Sequence, residues 1–232
     1  MIPIRDDAPR YTTPYVNYFL IGLNVLVFLF QKTLASDQQN VFLATFGMAP
    51  ANITAWIGGS HQIGFVDAIL PMFTAMFLHG GWMHLIFNMW ALWIFGDNVE
   101  DHLGHLPYLG FYLVCGILAA LVHTLFNLQS FVPSVGASGA IAGVMGAYFL
   151  LYPSARVLTL VPFFFFFLTW LPAWIILGYL FVVQFLNGAA TSIAYSNRNA
   201  GGIAFWAHVG GFLAGLLLIK LLPARPQRFS YE

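Results

Sequence analysis

Charge is almost absent from this chain. Eight Lys or Arg and eight Asp or Glu occur in 232 residues, 7% of the whole, where soluble domains carry roughly 25%. So few charges cannot coat a soluble fold of this size. Hydrophobic residues make up 60%, and the mean hydropathy is +0.80. The composition therefore implies an integral membrane protein. A formal net charge of zero, with no basic cluster, argues against a nucleic-acid partner and a polybasic lipid patch. Cysteine is nearly missing too. Cys115 stands alone, so no internal disulfide can form, and its apolar setting marks it as a packing residue.

Other absences narrow the chemistry. No H-E-x-x-H occurs, and His79 and His84 are five apart, which misaligns them on a helix. A three-ligand zinc site with no cysteine or carboxylate nearby has little support, and no cofactor is expected. No pair of aspartates lies in the apolar segments, which disfavours an aspartyl mechanism. No internal repeat and no soluble domain stand out. No small-residue cleavage site follows the first apolar run, which therefore reads as a first span rather than a signal peptide.

What is present is a series of apolar segments of about the 20 residues a spanning helix needs. The expected fold is all-α and polytopic, with six transmembrane helices near residues 15–34, 82–100, 106–125, 138–152, 172–186 and 207–222. Residues 1–14 form a polar N-terminal tail, residues 35–81 a long embellished first outer loop, and residues 223–232 a C-terminal tail. The stretch from residue 157 carries Pro162 and five consecutive phenylalanines from Phe163; its start reads as interfacial. His102 and His105, beside Asp101, read as a solvated inner loop, and His61 and His123 as loop or interface residues. With the N-terminus inside, the inner segments hold Arg5, Arg10, Arg156, Lys220, Arg225 and Arg228, and the outer ones Lys32 and Arg198. This bias places both termini in the cytoplasm.

Parity then aligns three polar features. The second, fourth and sixth segments all enter from the outer side, beginning near His79 and His84, at Ser138, and at His208. Polar side chains at membrane depth are costly and usually functional. A serine hydroxyl needs a base, and His208 is the base on the sixth segment at matching depth. Taken alone, a histidine bonded to a backbone carbonyl for packing is an equal alternative. Gly139 and Gly143 on the fourth segment, and Gly211 and Gly215 on the sixth, are spaced to let two helices approach closely. His84 and Asn88, four apart, share a helical face and can donate to an oxyanion, as can the Ser138 amide at a helix N-terminus. As a helix, residues 138–152 measure about 22 Å against a hydrocarbon core of about 30 Å. A short fourth helix implies a wet, outward-facing pocket with Ser138 at its floor.

These motifs together resemble the rhomboid family of intramembrane serine proteases. The matching pieces are His79-Gly80-Gly81-Trp82-Met83-His84, then Asn88, Glu100, Gly136-Ala137-Ser138-Gly139, and Ala207-His208 with Gly211 and Gly215. The resemblance runs over roughly residues 69–222, and the first segment and loop match mainly by placement. It implies Ser138 as nucleophile, His208 as general base, and His84, Asn88 and the Ser138 amide as the oxyanion hole. His79, Gly136, Gly139, Gly143, Gly211, Gly215 and Glu100 would support the cavity or the fold. Substrates would be membrane-anchored proteins entering between the second and fifth helices, with residues 187–205, containing Gly188, Gly201 and Gly202, as a mobile cap. Size and layout suit a bacterial plasma membrane. The alternatives are a catalytically inactive relative that binds membrane proteins, and a small transporter or channel. Two departures stand out: Trp56 is followed by Ile57 rather than an arginine that would brace the first loop, and Ala142 replaces an aromatic one turn after the serine.

Overall fold

The computed structural model describes residues 1–162, 166–194 and 204–225. Within them the chain is mostly helical. The helices are α1 (Tyr15–Thr33), α2 (Ser36–Phe46), α3 (Pro50–Ile57), α4 (Phe65–Thr74), α5 (Trp82–Leu103), α6 (His105–Leu125), α7 (Ser138–Leu151), α8 (Ala173–Ala194) and α9 (Phe205–Leu218), with a 3-10 turn at Ala75–Phe77. Tyr15–Thr33, His105–Leu125 and Ala173–Ser192 are long and apolar enough to cross a bilayer. Phe65–Phe77 and Trp82–Leu103 pass the same test as a pair bent by 78°. Helices α7 and α9 are apolar but only 14 residues each, about 21 Å long.

α7 is the centre of the bundle. Its Gly139, Ala140, Gly143, Val144, Ala147 and Tyr148 are all buried, among neighbours from α5, α6 and α9. The α7–α9 crossing is backbone on backbone. A Cβ on Gly211 would fall inside contact with the carbonyl oxygen of Gly139, one on Gly215 would meet the carbonyl of Gly143, and one on Gly146 would meet that of Phe212. On the other flank Cys115 of α6 packs against Gly143, a buried packing role for the lone thiol.

Several features depart from the sequence expectation. A three-stranded antiparallel sheet accompanies the helices: β1 (Ile2–Asp6), β2 (Arg156–Pro162) and β3 (Phe166–Pro172), in the order β1-β2-β3. Residues 156–162 and 166–172 pair as strands because Val157, Thr159 and Val161 favour extended backbone, and Pro162 and Pro172 sit at strand ends, where a missing N–H costs little. The reading of Phe163–Phe165 as interfacial lies outside the described residues. The N-terminal tail is also structured. Pro3 accepts from Trp90 Nε1 at 2.7 Å, Asn98 Nδ2 donates to the carbonyls of Ala8 and Pro9, and Asp101 accepts from the Tyr11 amide and the Thr12 hydroxyl. The presumed second-to-third loop shrinks to Gly104, whose φ of +82° suits a residue without Cβ. Asp97, Glu100 and Asp101 therefore lie on α5. His105, expected to be solvated, bonds the fully buried Glu100 at 2.6 Å. Glu100 in turn accepts the Val16 and Asn17 amides at the start of α1, where a carboxylate satisfies free N–H groups.

The first loop is folded without an arginine brace. It contains α2, α3, α4 and the 3-10 turn, and Met48, Ile53, Met72, Ala75 and Ala120 form a small core beneath it. Met48 exchanges backbone bonds with Ser134, and Thr74 donates to the Phe46 carbonyl. Buried Gln31 of α1 clamps the backbone of His79 from both sides, Oε1 accepting its N–H and Nε2 donating to its C=O, each at 3.1 Å.

Gly215→Val forces a branched side chain into the Gly143 backbone and should lower stability by about 1–3 kcal/mol or more, read as a fall in melting temperature in detergent. Gly22→Ala, where nothing lies within 4 Å, should leave it unchanged or raise it by up to about 1 kcal/mol. Asp6 in β1 accepts from Tyr148 at 2.5 Å, yet burial pushes its carboxyl above the ordinary range. Its folded state thus holds a proton more tightly than the unfolded chain does, so stability falls as pH rises from about 4 through the raised value. Asp6→Asn should remove that component from melting curves recorded across this range.

Candidate active site

The N-terminal ends of α5, α7 and α9 meet at one end of the bundle, and each contributes a polar side chain. Ser138 is the first residue of α7, and His208 is the fourth of α9. The close crossing of the two helices sets Ser138 Oγ 2.7 Å from His208 Nε2. This is a normal hydrogen-bond distance for a hydroxyl and a ring nitrogen. Both residues are half-buried, so the pair is neither sealed in the core nor open to bulk water.

His84 and Asn88 lie one turn apart near the start of α5, facing the segment that leads into α7. Gly136 separates them from Ser138. A Cβ there would lie 2.6 Å from His84 Nε2 and 3.6 Å from Asn88 Nδ2. The φ of Gly136 is +130°, a conformation only glycine adopts without strain. Its amide donates to the Ala75 carbonyl at 2.9 Å. Two independent constraints therefore demand glycine two residues before Ser138.

His79 is fully buried and stands behind Asn88, with its Nε2 3.0 Å from Asn88 Nδ2. Its ring also meets the His84 ring edge-on, centroids 5.1 Å apart. Gln31, His79 and Asn88 thus form a chain of contacts that holds the Asn88 amide in one orientation. A cavity opens beside Ser138, lined by Met72, Met76, Ala119, Ser134 and Gly136 among others. Glu100 lies apart from this cluster, at the far end of α5, and holds α1 and His105 instead.

One polar neighbour is absent from the expected set. Gln184 of α8 places its Oε1 2.9 Å from His208 Nδ1. A sequence signal for it existed. Within residues 173–186 Gln184 is the only amide or charged residue, and its position puts it at the same end of the bundle as Ser138. The expected mobile cap also changes. Residues 187–194 continue α8 as helix, with Gly188 packed against Phe205 and Trp206, while Gly201 and Gly202 lie outside the described residues.

The rhomboid-domain pattern matches residues 67–225, the stretch that carries all these groups but Gln31. The chain is 32% identical over 160 residues to Rhomboid protein 1, mitochondrial, of Saccharomyces cerevisiae, covering 67% of this chain and 42% of that protein. It is 29% identical over 213 residues to Rhomboid protease GluP of Bacillus subtilis, covering 90% of this chain and 35% of that one. It is likewise 29% identical over 159 residues to Presenilin-associated rhomboid-like protein A, mitochondrial, of Danio rerio, covering 65% and 37%. The chain belongs to the rhomboid family and is a multi-pass membrane protein. It spans about two fifths of the length of these relatives.

Gly136→Ala should displace the His84 ring and strain the backbone, costing about 1–3 kcal/mol. A lower melting temperature together with a shifted His84 signal in ¹⁵N NMR would report it. An unchanged His84 signal would mean that Gly136 does not set the ring.

Proposed function

We propose that this chain is an intramembrane serine endopeptidase that cuts membrane-anchored proteins. The observation that carries the reading is the 2.7 Å contact between Ser138 Oγ and His208 Nε2. His208 takes the Ser138 proton as Oγ bonds to the scissile carbonyl carbon, and the carbonyl electron pair becomes an oxyanion. His84, Asn88 and the Ser138 amide donate to that oxyanion. The C–N bond then breaks, and His208 returns its proton to the leaving amine. Water, activated by the same histidine, hydrolyses the acyl-enzyme and regenerates Ser138.

The surrounding architecture supports this reading. We take α1, α5, α6, α7, α8 and α9 as six spans, with both termini cytoplasmic and Ser138 toward the outer face of a plasma membrane. A 14-residue α7 stops short of that face, and the cavity at Ser138 supplies room for water. The His79–Asn88 contact favours an amide already turned for the oxyanion, so little reorganisation remains for the reaction. Membrane-anchored substrates enter from the side, between α5 and α8.

A serine-directed fluorophosphonate should label Ser138, and labelling should vanish in His208→Ala. Asn88→Ala should lower kcat on a membrane-anchored reporter about 10²- to 10³-fold, the loss expected for one oxyanion donor. Cleavage that survives Ser138→Ala would overturn the residue assignment. A folded, unlabelled protein that cuts no such reporter would overturn the enzyme reading.

A further inference from the structure

His208 has two ring nitrogens, and the proposed reaction uses one of them. Resting on that reading, we propose that Gln184 of α8 is the positioning residue for His208: its side-chain carbonyl accepts the Nδ1–H and holds the ring with a bare Nε2 toward Ser138.

A neutral imidazole carries one N–H and one lone pair, so fixing the proton on one nitrogen fixes the role of the other. Ser138 can give up its proton only if Nε2 accepts, which requires the hydrogen on Nδ1. The Nδ1 partner is Gln184 Oε1 at 2.9 Å, and Ser138 Oγ fills the Nε2 side at 2.7 Å. Among the described residues no carboxylate bonds the ring. An amide carbonyl serves the same orienting purpose without placing a second ion at membrane depth, where charge is expensive. After proton transfer, the imidazolium still donates through Nδ1 to Gln184, so the ring need not turn.

The seat of Gln184 is built from both sides. Three residues earlier on α8, Phe181 packs on Phe212 of α9 with ring centroids 4.9 Å apart. One turn later, Gly188 lets α8 close on Trp206, whose Nε1 donates to Ser192 Oγ at 2.9 Å. Ala142, one turn after Ser138, cannot take over the support. Its Cβ lies 3.4 Å from where a Cβ on Gly211 would stand, so the α7–α9 crossing leaves no room for a larger ring there. The bond from α8 is therefore the ring's lateral support, and the alignment of Ser138 and His208 depends on α8 being in place.

The reversed amide is the competing arrangement. There Gln184 Nε2–H would donate to Nδ1, the proton would sit on His208 Nε2, and Ser138 could only accept. ¹⁵N NMR of histidine-labelled protein separates the two states, with the His208 resonances identified by their loss in His208→Ala. We expect a protonated Nδ1 and an unprotonated Nε2 in the wild type, and tautomer exchange in Gln184→Leu. In cleavage assays Gln184→Leu should lower kcat about 10- to 100-fold with KM unchanged, within the range of acid–base contributions. Gln184→Glu, which keeps an acceptor at that place, should restore most of it. A wild-type ring protonated on Nε2, or a Gln184→Leu enzyme with wild-type kcat, would overturn the inference while the protease reading stands. A wild-type protein with the expected tautomer but no cleavage would instead sink the protease reading and leave the role of Gln184 in holding the ring intact.

Discussion

The site depends on one contact: bare backbone against bare backbone where α7 crosses α9. Gly139, Gly143 and Gly146 on one side, with Gly211 and Gly215 on the other, bring the two backbones together with only small side chains such as Ala142 and Ala207 beside them. In lipid no hydrophobic force separates helix from solvent, so close van der Waals packing is what holds such a pair together. Ser138 opens α7 one residue before Gly139, and His208 precedes Gly211 by less than one turn. The crossing that binds the two helices therefore also sets the distance between hydroxyl and imidazole. A methyl group added at Gly211 or Gly215 would press on a carbonyl of α7, and the Ser138–His208 distance would change with it.

Around that crossing, buried polar groups are tied in sequence. Gln31 holds the His79 backbone, His79 meets the Asn88 amide, and Asn88 faces Gly136 beside the serine. Gln184 closes the circuit on the opposite side through His208. Each of these groups would be costly if buried alone, and each makes at least one such contact, although His79 Nδ1 is left without a partner among the described residues. The far end of the bundle follows the same rule with carboxylates. Glu100 takes two amides of α1, and Asp97, Asp101 and Asp6 secure the N-terminal segment. Two clusters of buried polar groups therefore stand out among the described residues, one resembling a reaction site and one acting as an anchor.

Much of this was legible in the residues, for identifiable reasons. Apolar run length located the helices. Spacing by four brought out the glycine pairs and the His84 and Asn88 face. Parity placed Ser138, His208 and His84 at one level. Local signals failed where an element depends on a distant partner. The strand Ile2–Asp6 exists because β2 pairs with it, and a five-residue stretch carries no local sign of that pairing. The run from residue 157 is apolar enough to suggest lipid contact, yet residues 157–162 and 166–171 pair as antiparallel strands. Gln184 was visible as a lone polar residue in an apolar helix, but nothing local said which neighbour it would meet.

The sequence by itself determined the membrane class and the main apolar helices, which follow from composition and run length, and its motifs pointed to the family. Only the tertiary structure decided which side chains touch. The Ser138–His208 contact spans 70 positions, Gln31–His79 spans 48 and Gln184–His208 spans 24. Such contacts are set by how helices pack, through glycine-lined crossings and the seat of α8 on Trp206, and no single segment contains that geometry.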